Sequence, residues 1–185
     1  MGNFTFNKTE IEGVFLIDVK LYGDSRGYFM ETYKESEFRD AGLNYRFIQD
    51  NQSLSRRGVI RGLHFQRTYS QAKLVRVLRG EVFDVAVDLR KGSDTYGKWI
   101  GVVLSEENHR QFLIPKGFAH GFAVVSDEAV FAYKCDELYH PEDEDGIIWN
   151  DPDINITWPD IGTIILSEKD KKYKTLRENR MEYEF

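Results

Sequence analysis

Between residues 60 and 139, short apolar segments are separated by turn residues so regularly that the chain has few options besides β-structure. KLVRVL alternates, GEVFDVAVDL puts Phe83, Val85, Val87 and Leu89 on one face, and RKGSDTYG is a turn. WIGVVL, RQFLIP, GFAVVS and AVFAYK continue the series. A period of two repeated over many short segments builds an antiparallel sandwich or small barrel, since βαβ units would need helical stretches between strands. Helix signals are few. KESEFRDAG, 34 to 42, is a short amphipathic piece stopped by Gly42, and 167–173 opens with Ser167 and Asp170 at capping-box spacing. The expected fold is an all-β core with minor helices, one domain over residues 1–185.

Composition limits the function. A chain of this length buries roughly 70% of its unfolded surface, and 41% hydrophobic with 14% aromatic residues supply a packed core. No apolar run approaches the ~20 residues of a spanning helix, and MGNFTFNKTEIEGVF lacks the basic start and apolar stretch of a signal peptide. Cys135 has no partner for an internal disulfide, which fits a reducing cytoplasm. A net charge of -6 without a basic stripe argues against nucleic acid and leaves room for a small anionic ligand. Such a ligand would need a local cationic pocket, for which Arg26, Arg61, Lys73 and Lys169 are candidates.

The chemistry concentrates in NQSLSRRGVIRGLHFQRTYSQAK, 51 to 73. Arg61 is a fixed cation, His64 a base titrating near neutral pH, and Lys73 an ammonium able to meet an oxyanion. Together they suit proton abstraction beside a carbonyl of an anionic substrate. A histidine between Leu63 and Phe65 is also compatible with a purely structural role. PKGFAHG, 115 to 121, makes a tight corner before His120 and looks like half of the second cupin motif, which implies a jelly-roll barrel. Metal cupins supply H-x-H from the first motif; here that place holds His64 and Gln66, so the pair is broken and no metal is expected, the one competing arrangement being His64 and His120 with a carboxylate. Tyr133, on the same face as Phe131, is either a core tyrosine or a general acid. Tyr139 either stacks on a ring or covers a strand end. Asp170 is either a helix cap or, if it packs on His64, the carboxylate that orients the imidazole.

GDSRGYFMET, QDNQSLS, GVIRGLHFQ, GEVFDVAVDLRKGSDTYGKW, IPKGFAHGFAVVSDEA, YKCDELYHPEDEDGIIWNDPDI and LSEKD occur in that order. With these segments, from about Lys8 to Asn179, the chain resembles the dTDP-4-dehydrorhamnose 3,5-epimerases. The resemblance implies a cupin-type double-stranded β-helix, a homodimer, no metal or cofactor, and a dTDP-4-keto-6-deoxyhexose substrate inverted at C3 and C5. It implies His64 as base, Asp170 as its dyad partner, Lys73 at the enolate oxygen and Tyr133 as opposite-face acid. Arg26, Glu31, Gln49, Asn51, Arg61, His120, Glu144 and Lys169 fall at nucleotide- and sugar-contacting positions, and Tyr139 at the thymine-stacking one. Arg26 and Glu31 are expected to be shared across the dimer interface.

Three other functions compete: a single-site epimerase, a 3,4-ketoisomerase of the same nucleotide-sugar group, and a non-catalytic cupin that senses a nucleotide sugar. The strand geometry also poses a problem. Strict alternation in VIRGLHFQ sends Arg61 and His64 to opposite faces, so a shared pocket requires a bulge at Gly62 or a bend at Arg61.

Overall fold

Strand dominates, as the alternation requires. The computed structural model describes residues 2–179. The chain begins with β1 (Phe4–Lys8), β2 (Phe15–Val19), β3 (Tyr22–Asp24) and β4 (Gly27–Phe29). It continues with β5 (Gln49–Arg56), β6 (Ile60–Gln66), β7 (Lys73–Arg79), β8 (Glu81–Asp88) and β9 (Trp99–Ser105). The last strands are β10 (Gln111–Ile114), β11 (Phe118–Val124), β12 (Glu128–Cys135) and β13 (Glu144–Gly146). Helix is confined to α1 (Glu35–Asp40), a 3₁₀ turn at Asp170–Lys172 and α2 (Leu176–Asn179).

The pairing from β5 to β12 is nested. β5 lies against β12, β6 against β11, β7 against β10 and β8 against β9, all antiparallel. Further pairing of β7 with β12 and of β8 with β11 closes this long hairpin into two sheets. That is a jelly roll, the cupin-like β fold expected from the sequence. One sheet runs β1-β2-β10-β7-β12-β5, the other β13-β6-β11-β8-β9, and β3-β4 form a separate hairpin.

Three apolar layers hold the sheets. Between them pack Val75, Val77, Phe112 and Phe131 from the first sheet, with Val82, Ala86, Leu104 and Phe122 from the second. The outer face of the second sheet, with Val85, Val87 and Leu89, is covered by Ile147, Ile154 and Leu176 from the C-terminal segment. The single apolar face read in GEVFDVAVDL is therefore an outer one, and the residues between also point into protein. β11 is buried along its whole length for the same reason. On the far side, Phe38 of α1 packs on Phe4, Ile17, Leu74 and Leu113. Gly42 ends that helix region with φ +83, a conformation other residues rarely adopt.

The expected helix at 167–173 shrinks to the 3₁₀ turn, although its cap contact forms: Asp170 N–H donates to Ser167 Oγ at 3.0 Å. Strands β1, β2 and β5 lie ahead of the region read as strand. β5, QDNQSLSR, has no apolar alternation because its inward residues Gln49, Asn51 and Ser53 face a cavity instead of the core.

Candidate active site

At one end the space between the sheets opens into a cavity of about 410 Å³, the size of many small-molecule sites. The second sheet contributes Arg61, His64 and His120, and the first contributes Gln49, Asn51, Lys73 and Tyr133. Tyr139 and Glu144 complete the wall on the loop and strand that follow.

A bulge brings Arg61 and His64 to the same side. His64 is opposite His120 and Arg61 opposite Phe122, so β6 spends one residue more than β11 between the two pairs. Gly62 sits in that step at φ +111. A side chain there would meet Gly121 Cα at 2.5 Å, and one at Gly121 would meet Arg61 O at 2.6 Å. Two facing glycines thus permit the backbone approach that re-aims Arg61, as the alternation problem demanded. Arg61 Nε donates to Ser55 Oγ at 2.9 Å, leaving the rest of the guanidinium toward the cavity.

His64 Nε2 lies 2.5 Å from Asp170 Oδ1. The carboxylate is 5% exposed and the imidazole 29%, so Asp170 stands behind the ring and the ring faces the cavity. Burial would raise the Asp170 pKa, but the hydrogen bonds from His64 and Ser167 and the charge of His64 hold it below the usual range. A neutral His64 then donates Nε2–H to Asp170 and keeps the Nδ1 lone pair free as a base. Tyr173 places its ring edge on the imidazole, with centroids 5.6 Å apart. Its hydroxyl is buried without a hydrogen-bond partner among the described residues.

Lys73 and Tyr133 face this dyad from the other sheet. Burial lowers the Lys73 pKa and raises that of Tyr133, with nearby Cys135 and Glu144 adding to the rise at the phenol. No hydrogen bond or ion pair within the described residues occupies either head group. An ammonium with unspent donors and a protonated phenol are therefore available to a bound molecule. Lys73→Met should raise stability by about 1 kcal/mol, or roughly 2–4 °C in Tm, since it removes an unpaired charge from a desolvated place. The sign with pH follows from the lowered pKa. The unfolded lysine binds its proton more tightly, so wild-type stability rises between the folded pKa and the ordinary lysine value, and the gap to Lys73→Met closes at alkaline pH. Thermal melts at neutral and alkaline pH check this; a less stable variant at neutral pH contradicts it.

His120 is buried, its Nε2 3.0 Å from Asp84 Oδ1, and burial lowers its pKa despite the carboxylate. Asp84 is absent from the sequence reading; its place inside VFDVAVD, opposite Phe122 on β11, is visible only once the strands pair. Among the described residues no group of three or more His, Cys, Asp and Glu side chains converges to hold a metal. Gln66, where metal cupins would have a ligand, clamps loops instead. Its Nε2 donates to Tyr69 O and Leu138 O, and its Oε1 accepts from His140 N–H. The clamp fixes the turn carrying Tyr139, whose hydroxyl donates to Glu144 Oε2 at 2.5 Å and whose pKa is pushed up to about 12, mainly by that bond.

Lys169 stands at the rim, paired with Glu144. Arg26 and Glu31 are not brought to the cavity. Arg26 projects from the β3-β4 turn, 87% exposed and paired with Asp24 at 2.5 Å. Glu31 accepts from Asn3 Nδ2 at 2.5 Å. The hairpin is a sheet of its own, and neither Arg26 on its turn nor Glu31 beyond its end lines the cavity within one chain.

A protein-family model described as dTDP-4-dehydrorhamnose 3,5-epimerase matches residues 8–178. The chain is 60% identical over 181 residues to the dTDP-4-dehydrorhamnose 3,5-epimerase of Methanothermobacter thermautotrophicus, covering 97% of this chain and 98% of that one. It is 43% identical over 172 residues to a dTDP-4-dehydrorhamnose 3-epimerase of Streptomyces niveus, covering 92% and 83%. Its fold is similar, at a TM-score of 0.92 and 52% identity, to a crystal structure of the 3,5-epimerase of Legionella pneumophila in complex with dTDP-4-keto-L-rhamnose, covering 94% and 93%.

Proposed function

The chain belongs to the dTDP-4-dehydrorhamnose 3,5-epimerase family, and from that premise we propose that it inverts C3 and C5 of dTDP-4-dehydro-6-deoxy-D-glucose to give dTDP-4-dehydro-L-rhamnose. Both carbons lie α to the C4 ketone. His64 Nδ1 takes a proton from the carbon, and the electron pair moves to the ketone oxygen. Lys73 holds that oxygen as an enolate in the shielded cavity. Tyr133 delivers a proton from the other face and recovers one from solvent, which leaves the carbon inverted. One observation carries this assignment of roles: a base oriented by a buried carboxylate on one sheet faces an ammonium and a phenol on the other, neither with a hydrogen-bond or ion-pair partner among the described residues. No metal or cofactor enters the scheme.

The test is incubation with the 4-keto-6-deoxyglucose nucleotide in deuterated water with excess chelator. Deuterium is expected at both C3 and C5, with full activity retained. Label at one carbon only indicates a single-site epimerase, a 3-keto product indicates the ketoisomerase, and chelator-sensitive activity restored by a divalent ion overturns the metal-free scheme.

The nucleotide is held by Arg61 and Lys169 at the diphosphate and Tyr139 at the base, with Gln49, Asn51, His120 and Glu144 around the sugar and phosphates. Arg61→Ala should weaken dTDP far more than thymidine, which has no phosphate for the guanidinium fork to bind. Tyr139→Ala should weaken both, by roughly 1–3 kcal/mol if a base stacks there. Titration calorimetry with the two ligands separates these effects; equal losses on removing Arg61 contradict the diphosphate role.

The working unit is a homodimer in the cytoplasm. Supporting it, the hairpin exposes Tyr28 and Phe29 at 59% and 65%, and the outer face of the first sheet leaves Leu54 and Leu78 uncovered. A second copy over these surfaces would bury them and bring Arg26 and Glu31 to a neighbouring cavity. The lone buried Cys135 fits a reducing compartment, and no described helix is long and apolar enough to cross a membrane.

A further inference from the structure

Glu144 stands between the base and the rim. Its Oε1 is 3.9 Å from His64 Nδ1, the nitrogen that Asp170 leaves free. Its Oε2 accepts the Tyr139 hydroxyl at 2.5 Å and pairs with Lys169. The position follows from strand pairing: β13 runs antiparallel to β6, with Glu144 opposite Gln66 and Gly146 opposite His64. The carboxylate is 12% exposed, so solvent screens little of its field at the imidazole.

From this geometry we propose that Glu144 is a positioning residue that sets the basicity of His64 and couples it to nucleotide recognition. The inference rests on the reading of His64 as the base. When Nδ1 accepts the substrate proton, the imidazolium lies between two carboxylates, Asp170 at Nε2 and Glu144 at Nδ1, and both stabilise the new charge. Before substrate arrives, Lys169 neutralises part of the Glu144 charge. A diphosphate at the rim competes for Lys169 and returns that charge to the dyad. The base therefore strengthens when the correct ligand is in place, and empty enzyme keeps a weaker one.

Burial alone would raise the Glu144 pKa, but its bonds from Lys169 and Tyr139 and the nearby His64 hold it low, so it is ionised at neutral pH. Other charged or titratable groups also face the imidazole. His120 is its cross-strand neighbour, Arg61 shares its strand, and Lys73 and Tyr133 lie across the cavity. Tyr173 packs on its edge, and Asp145, next to Glu144, pairs with Arg67. Lys73, Tyr133 and Tyr173 also feel the Glu144 charge, so Glu144→Gln alters them as well, and the opposite shift expected in Lys169→Met is what isolates the proposed link.

The experiment is an NMR titration of the imidazoles in full-length enzyme without substrate, with ¹⁵N-labelled histidine. The chain has 4 histidines, and His109, ring-packed on Tyr28, is the internal reference for intact folding. Glu144→Gln removes a charge 3.9 Å from Nδ1 and should lower the His64 midpoint by about one unit. Lys169→Met removes the neutralising cation and should move the midpoint up. In turnover, Glu144→Gln should shift the acid limb of the kcat/KM profile the same way, which loss of a substrate contact alone would not do. An unmoved His64 midpoint in Glu144→Gln, or the same direction in both variants, overturns the proposal. Because the titration needs no substrate, it can fail while His64 still proves to be the base.

Discussion

His64→Asn is expected to abolish solvent exchange at both C3 and C5, because the proposed scheme assigns both α-protons to this one base. Loss of an acid–base group typically costs ~10²–10⁴ in rate, and a base whose carboxylate and ring packing are already in place belongs at the upper end, on the order of 10³-fold or more. Asparagine keeps the approximate size and a polar contact for Asp170, so the fold should survive. Asp170→Asn should act in the same direction but less severely. It leaves His64 able to accept a proton while removing the charge that lies 2.5 Å from Nε2 and supports the imidazolium. Its neutral amide also no longer specifies which ring nitrogen carries the hydrogen. The measurement is deuterium incorporation at each carbon over time, by NMR or mass spectrometry. Near-normal exchange in His64→Asn with loss in Asp170→Asn would show that the base is another residue.

Tyr133→Phe is expected to separate proton removal from inversion. His64 and Tyr133 project into the cavity from opposite sheets, so a proton lost to one and regained from the other changes face. Without the phenol, His64 still removes the proton, exchanges it with solvent and returns deuterium to the face it came from. The substrate then gains label while inverted product scarcely accumulates. Burial keeps the phenol protonated at neutral pH, which suits a donor and makes phenylalanine an undemanding replacement. Coupling the wild-type reaction to a reductase and a nicotinamide cofactor reports the inverted product directly. Inverted product at the wild-type rate in Tyr133→Phe would return Tyr133 to the role of a core tyrosine packed on Phe131 and make water or another group the acid.

Much of this was legible in the linear chain because it depends on local rules. Alternation in KLVRVL and AVFAYK needs only period two, so strands β7 and β12, and the common face of Phe131 and Tyr133, follow from the residues themselves. The motif order from GDSRGYFMET to LSEKD carried the family and, with it, the candidate residues. The conflict between alternation and a shared pocket called for either a bulge at Gly62 or a bend at Arg61, and strand pairing selects the bulge. β5 escaped for a physical reason: periodicity detects faces that seek a core, and its inner face lines a polar cavity.

What remained was settled by contacts between residues far apart in the chain. Asp170, which local spacing left as either a cap or a partner of His64, meets the imidazole across 106 residues. Asp84 finds His120 only when β8 and β11 align, and Glu144 reaches the dyad only because β13 pairs with β6. Arg26 and Glu31 show the complementary limit. Their motif is plain in the sequence, yet folding one chain leaves Arg26 on the β3-β4 turn and Glu31 in the coil just after it, away from the cavity. Sequence alone determined the alternating strands and the candidate residues, because residue type and short spacing set what each can do. Tertiary structure decided which of them meet, because a pKa, a free lone pair or an unpaired ammonium is a property of neighbours that only the closed sheets provide.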